Sequence, residues 1–136
     1  MLICDVMPDQ ETQEIVCLVD DDIAVLQGVG RLLTADGYSI RSFNDPHSFL
    51  HHVQNAKVPL VVLDVWMEGM SGLDVQSQLR DLSPTTRVII MSGRETPAMR
   101  TQALANGAVA FLAKPFDDDQ FLQVVHEAMR PRSDEM

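Results

Sequence analysis

From Glu14 to Ala128 the chain alternates short aliphatic runs with longer segments whose apolar residues recur at helical spacing. Breaks fall about every 10 to 15 residues, a rhythm that predicts βα units around a parallel sheet. "EIVCLVD" (14–20) reads as a first strand. "DIAVLQGVGRLLTADG" (22–37) reads as a helix that buries Leu26, Val29, Leu32 and Leu33 and stops at Gly37. "YSIRSF" (38–43) alternates like a less buried strand, and Asp45 before Pro46 predicts an N-cap and a first-turn proline opening a helix to about Ala56. "PLVVLDV" (59–65) is the most aliphatic run and predicts a central strand covered on both faces. The loop "WMEGMSG" leads to a helix at "GLDVQSQLRDL". Then follow a strand at 87–93, a helix at 96–107 ended by Asn106 and Gly107, and a strand at 108–115. Asp117 is placed to cap a last helix burying Phe121, Val124, Val125 and Ala128. The reading totals five strands and five helices, with an aperiodic leader (1–13), a domain over 14–129 and an aperiodic tail (130–136).

Polar side chains sit where these strands end. The first ends in Asp20-Asp21-Asp22, the third in Asp64, the fourth in Ser92 and the fifth in Lys114-Pro115. In an open parallel sheet, ligands gather beyond the carboxyl ends of the strands, where strand order reverses. If the first and third strands are neighbours, Asp20, Asp21 and Asp64 converge, and two carboxylates about 5 Å apart repel by roughly 3 kcal/mol at an effective dielectric of ~20. Such a cluster calls for a cation, and carboxylates suit a hard, oxygen-seeking ion such as Mg²⁺, which keeps several waters and engages phosphate. With Lys114 and the Ser92 hydroxyl nearby, Asp64 has the company a carboxylate nucleophile needs to accept a phosphoryl group. Asp22 suits a helix N-cap, which leaves Asp20 and Asp21 as the metal pair; a register one residue later would pair Asp21 with Asp22.

Composition narrows the functional classes. At 136 residues, 46% hydrophobic and 22% charged, the chain can bury a single core without metal staples or disulfides. A net charge of −10 repels a phosphate backbone, so direct nucleic-acid binding is not expected. The longest apolar runs are far short of the roughly 20 residues that span a bilayer, and the N-terminus lacks a signal-peptide pattern. A cytoplasmic location is the expectation. Cys17 lies in a strand pattern and Cys4 in the ragged leader, so a disulfide between them is not expected.

In order and spacing, "VDDD" (19–22), "LDVWMEGMSGLD" (63–74), "MSG" (91–93) and "FLAKPF" (111–116) resemble the receiver domain of bacterial two-component response regulators, most of all the receivers of LuxR-type transcription regulators. The resemblance covers residues 14 to 129. It implies a flavodoxin-like, doubly wound α/β fold, (βα)5, with a five-stranded parallel sheet in the order 2-1-3-4-5. It also implies that Asp64 is phosphorylated by a sensor histidine kinase, and that Asp20, Asp21, Asp64 and the backbone carbonyl of Trp66 hold Mg²⁺. Ser92 and Lys114 would contact the phosphoryl group, and Phe111 would be the aromatic switch that turns inward when Ser92 moves. Trp66 and Arg94 correspond to positions that flank the attacking water and tune dephosphorylation. The fourth helix, fifth strand and fifth helix, near 95–128, would be the signalling face for a homodimer or an effector domain. The chain departs from the family in carrying Glu68 where many relatives have proline, and Phe111 where many have tyrosine. By the same resemblance the domain is a signalling module rather than a turnover enzyme.

Other functions fit less well. A haloacid-dehalogenase-like phosphatase needs a second aspartate where Trp66 stands, and flavin binding needs a phosphate-cradling loop where three aspartates stand. "DDDIAVLQGVG" lacks the alternating ligands of an EF-hand. A phosphorylation-independent interaction module with the same fold is the main alternative, though a bare scaffold has no reason to assemble the acidic, hydroxyl and lysine set. His47 and His51 have zinc-binding spacing but no evident third ligand, and read as a solvated helix face. Cys17, Phe49 and Met91 read as core.

Overall fold

A computed structural model describes residues 15–130. Its strands are β1 (Ile15–Val19), β2 (Ser39–Phe43), β3 (Leu60–Asp64), β4 (Arg87–Ser92) and β5 (Ala110–Ala113). They alternate with α1 (Ile23–Ala35), α2 (Pro46–Val53), α3 (Gly72–Leu82), α4 (Pro97–Ala105) and α5 (Asp118–Met129). All strand pairs are parallel, in the order β2-β1-β3-β4-β5. The chain therefore leaves β1 toward one edge and returns to β3 on its other side. This reversal opens a crevice beyond the carboxyl ends of β1 and β3.

Alternation along the strands divides the core in two. On β1, Val16 and Leu18 pack with Leu26, Leu33, Phe121 and Val125 of α1 and α5, while Cys17 and Val19 face the side of α2, α3 and α4, with Phe49, Val75 and Ala103. β3 is buried at every position, as its unbroken aliphatic run requires. β2 lies at the sheet edge and is partly exposed throughout. Cys17 is a buried free thiol whose pKa burial pushes up to about 11, and Phe49 and Met91 are core residues. Cys4, with the rest of the leader and most of the tail, lies outside the described residues.

The caps are local and were legible in advance. Asp22 accepts from the N–H groups of Ala24 and Val25, Asp45 from those of His47 and Ser48, and Asp117 from that of Gln120. Gly37 and Gly107 take φ values of 99° and 100° just after α1 and α4, the left-handed turn that a Cβ disfavours. Two expectations shift. α2 ends at Val53 rather than near Ala56, because the polar run that follows offers no apolar face to bury. Leu32 and Val124 are only partly buried, each at the flank of its helix stripe. His47 and His51 gain no third metal ligand among the described residues.

Candidate phosphoryl-transfer site

Register brings the strand ends level. Val19 pairs with Leu63, so Asp20 and Asp64 emerge side by side, and Ser92 pairs with Ala113, so Lys114 emerges beside Ser92. The backbone carries the alignment one residue further: Asp20 N–H donates to Phe43 O at 3.1 Å, Val65 N–H to Met91 O at 3.1 Å and Lys114 N–H to Ser92 O at 2.8 Å. The Lys114–Pro115 peptide bond is cis.

Asp20 and Asp64 are only 1% and 3% exposed, so each carboxylate needs a partner. Lys114 supplies it to both, with Nζ 2.9 Å from Asp20 Oδ2 and 3.0 Å from Asp64 Oδ1. Asp20 Oδ1 also accepts the Asp22 N–H at 2.9 Å. Asp21 is exposed, and its Oδ2 accepts the Glu68 N–H at 3.1 Å. A proline at 68 has no N–H to give, so the departure noted in the sequence supplies a donor that ties the loop after β3 to the aspartates after β1.

Carboxylate oxygens of Asp20, Asp21 and Asp64 all lie within 4.8 Å of one another. The pair Asp20 and Asp21, rather than Asp21 and Asp22, therefore joins Asp64, and Asp22 serves as the α1 cap. Three hard oxygen donors at this separation fit a small divalent cation such as Mg²⁺.

Burial pushes the Asp64 pKa above its ordinary value of 3.8, the Asp20 and Asp21 charges push the same way, and Lys114 pulls against them. Burial pulls the Lys114 pKa down, but its hydrogen bonds to Asp20 and Asp64 and the attraction of both charges outweigh this, leaving it above 10.5. A carboxyl with a higher pKa when folded holds its proton more tightly in the fold, so its ionisation weighs against folding. That penalty is absent below the unfolded pKa and grows as pH rises from there through the folded one. Asp64→Asn is accordingly expected to melt above wild type at pH 7 in metal-free buffer, with the gap closing as the pH falls toward 4. Thermal melts across pH with EDTA check this; a variant that melts below wild type at pH 7 would refute it.

Ser92 is fully buried. Its hydroxyl donates to Arg94 O at 2.6 Å and accepts the Arg94 N–H at 3.1 Å. It also accepts Nε1–H of Trp66 at 3.1 Å, and the same indole N–H lies 3.0 Å from Arg94 O. The Arg94 guanidinium sits 5.0 Å from the Trp66 ring centroid. Phe111 is buried against the α2–α4 side, with the Arg100 guanidinium 5.1 Å from its ring centroid. Its ring is thus already inward while Ser92 is bound to Arg94 and Trp66, whereas the sequence reading coupled an inward ring to a moved Ser92.

A family model described as the response regulator receiver domain matches residues 16–126. The chain belongs to this family. Among its relatives, the response regulator protein TodT of Pseudomonas putida is 35% identical over 116 residues, covering 85% of this chain and 51% of that protein. The transcriptional regulatory protein FixJ of Bradyrhizobium diazoefficiens is 30% identical over 113 residues, 83% of this chain and 55% of that one. The chain spans about half the length of these curated relatives. A crystal structure of a response regulator protein from Burkholderia pseudomallei, with a phosphorylated aspartic acid, a calcium ion and citrate, superposes with a TM-score of 0.76 at 25% identity, covering 90% of this chain and 69% of that one. The protein is a receiver domain of a two-component response regulator, a signalling domain, with the doubly wound fold and 2-1-3-4-5 order that the resemblance implied. Among the described residues of this receiver, no helix is long and apolar enough to cross a membrane.

Three features of the receiver site escaped the sequence reading. The Glu68 N–H to Asp21 bond and the Trp66 to Ser92 bond join residues far apart in sequence, without a local signal. The third is Gly72, where an added Cβ would meet Asp64 O at 2.1 Å. A glycine following Ser71 at the start of a helix was the available clue.

Proposed function

We propose that this receiver is a phosphorylation-dependent switch in which Asp64 takes a phosphoryl group from the phosphohistidine of a sensor histidine kinase. The observation that carries the proposal is the bridging of two buried carboxylates, Asp20 and Asp64, by Lys114 at a crevice shared with Asp21. An oxygen of Asp64 bonds to phosphorus as the P–N bond of the phosphohistidine breaks, and the imidazole leaves with the electron pair. Lys114, freed from part of its hold on Asp64, donates to a phosphoryl oxygen, and the Ser92 hydroxyl donates to another. Asp20, Asp21, Asp64 and the backbone carbonyl of Trp66 would hold Mg²⁺. The ion supplies charge neutralisation on the phosphoryl oxygens. In the reverse half of the cycle a water oxygen attacks phosphorus and the P–O bond to Asp64 breaks, restoring the carboxylate. Trp66 and Arg94 stand beside that approach and tune its rate.

Ser92 is the moving part of the switch, and Phe111, already packed inward and without a hydroxyl, contributes to it through packing alone. The output face is 95–128, where Leu104 on α4 and Val109 before β5 are 43% and 42% exposed, and it serves a second copy or an effector domain. The acidic chain itself does not touch nucleic acid, the domain spans 14–129 and it works in the cytoplasm. Intact mass after incubation with Mg²⁺ and acetyl phosphate tests the proposal. A Mg²⁺-dependent gain of one phosphoryl mass, absent in Asp64→Asn, is expected. No gain from several donors would leave a phosphorylation-independent interaction module with this fold.

A further inference from the structure

A hydroxyl has one proton to donate and two lone pairs to accept with. At Ser92 all three are engaged: the proton on Arg94 O, one lone pair on the Arg94 N–H and the other on Trp66 Nε1–H. Trp66 also donates to Arg94 O, so one indole N–H holds both the hydroxyl oxygen and the carbonyl that takes the hydroxyl proton. Ser92 cannot donate to a phosphoryl oxygen until it gives up Arg94 O. The two Arg94 bonds are formed within three residues, but the Trp66 bond reaches across 26 residues from the loop after β3. With the Arg94 guanidinium over its ring, the half-exposed indole is held in this pose from its face as well as from its edge.

We propose that Trp66 is a clasp that holds Ser92 in its unphosphorylated arrangement, so that the indole N–H must release Ser92 before the hydroxyl can reach a phosphoryl group on Asp64. The inference rests on the reading of Asp64 as phosphoacceptor and adds a positioning residue that sets the balance between the two states. Its role differs from flanking the water path, because it acts through Ser92 and favours the unphosphorylated state. A ligand shifts a two-state equilibrium only through the difference in its interactions with the two states, and the clasp is a bond made in one of them.

Trp66→Phe keeps a ring for Arg94 and removes only the N–H; Trp66→Ala removes both. With the net worth of one neutral hydrogen bond, the Phe variant should gain about fivefold in the rate of phosphorylation at sub-saturating acetyl phosphate with Mg²⁺. In a Ser92→Ala background the same substitution should change nothing, because the clasp has lost what it holds. Trp66 is the single tryptophan of the sequence, so in wild type its fluorescence should change on phosphorylation and stay unchanged in Asp64→Asn treated alike. Equal rates for wild type and Trp66→Phe would overturn the clasp. So would an equal gain with and without Ser92, which would assign Trp66 a bulk effect on access, or an emission indifferent to phosphorylation. A wild type that gains no phosphoryl group, assayed by mass beside Asp64→Asn, would instead overturn the phosphoacceptor reading and this inference with it.

Discussion

Lys114→Met is expected to destabilise the fold by about 3 kcal/mol in metal-free buffer, and Mg²⁺ is expected to restore part of that loss. The lysine nitrogen sits 2.9 Å from one carboxylate and 3.0 Å from another, each almost wholly removed from water. Removing the cation leaves two buried anions whose oxygens lie within 4.8 Å, a repulsion of about 3 kcal/mol at an effective dielectric of ~20. Methionine fills much of the stem's volume, so the change reports charge more than packing.

The pH dependence has a definite sign. In wild type the raised Lys114 pKa contributes stability that is present below 10.5 and is lost as pH rises through the folded value. In the variant, Asp64 loses the Lys114 interaction that pulls its pKa down and holds its proton more tightly, so the variant's deficit shrinks as the pH falls. A divalent cation at the three aspartates replaces the missing positive charge and should recover stability while phosphoryl acceptance stays impaired. Urea unfolding at pH 7 with EDTA or Mg²⁺ measures this; equal stability of the two proteins in EDTA would show that the lysine does not hold the pair.

The second large effect is expected at a residue with no side chain. Gly72 opens α3, and its N–H donates to Val65 O at 2.9 Å, drawing the helix start against the chain just beyond Asp64. An ideal Cβ there would stand 2.1 Å from Asp64 O and 3.1 Å from Val65 Cα. Both neighbours are backbone, which cannot swing away as a side-chain tip does. Gly72→Ala is therefore expected to destabilise by about 3 kcal/mol and to displace the Asp64 main chain. Phosphoryl acceptance should fall with it even where the protein remains folded. Gly28, on the exposed side of α1 with nothing within 4 Å of an added Cβ, is the control. Gly28→Ala should stabilise by about 0.5–1 kcal/mol through helix propensity and leave acceptance unchanged. Denaturation curves and intact-mass assays on the two variants separate crowding at Asp64 from a general dislike of alanine. A Gly72→Ala protein as stable and as active as wild type would show that α3 shifts freely.

Much of this receiver was legible before the fold was known, and the physical reason is range. Caps act over two or three residues, so Asp22, Asp45 and Asp117 announce their helices by themselves. Strand and helix periods are also local, and the burial of β3 and the exposed edge of β2 follow from apolar runs of different density. The polar residues at strand ends stood out because a strand has no need of them, and the combined spacing of their motifs is specific enough to identify the family.

What tertiary structure decided is who meets whom across the sheet. Lys114 and Asp20 are 94 residues apart, and only the registers of β1 with β3, β3 with β4 and β4 with β5 set both beside Asp64. The same registers leave Asp22 outside the cluster of Asp20, Asp21 and Asp64, free to cap α1. Trp66 looked like a bulky neighbour of the water path, and only the packed loops reveal its N–H on Ser92. Phe111 occupies its inward position in the core with Ser92 still clasped, since a ring on β5 packs according to the helices that cover it. The sequence by itself determined the elements and the chemical cast, and through its family motifs the sheet order; three-dimensional packing determined the partners, because contacts between distant residues depend on register and loop packing, which no local pattern encodes.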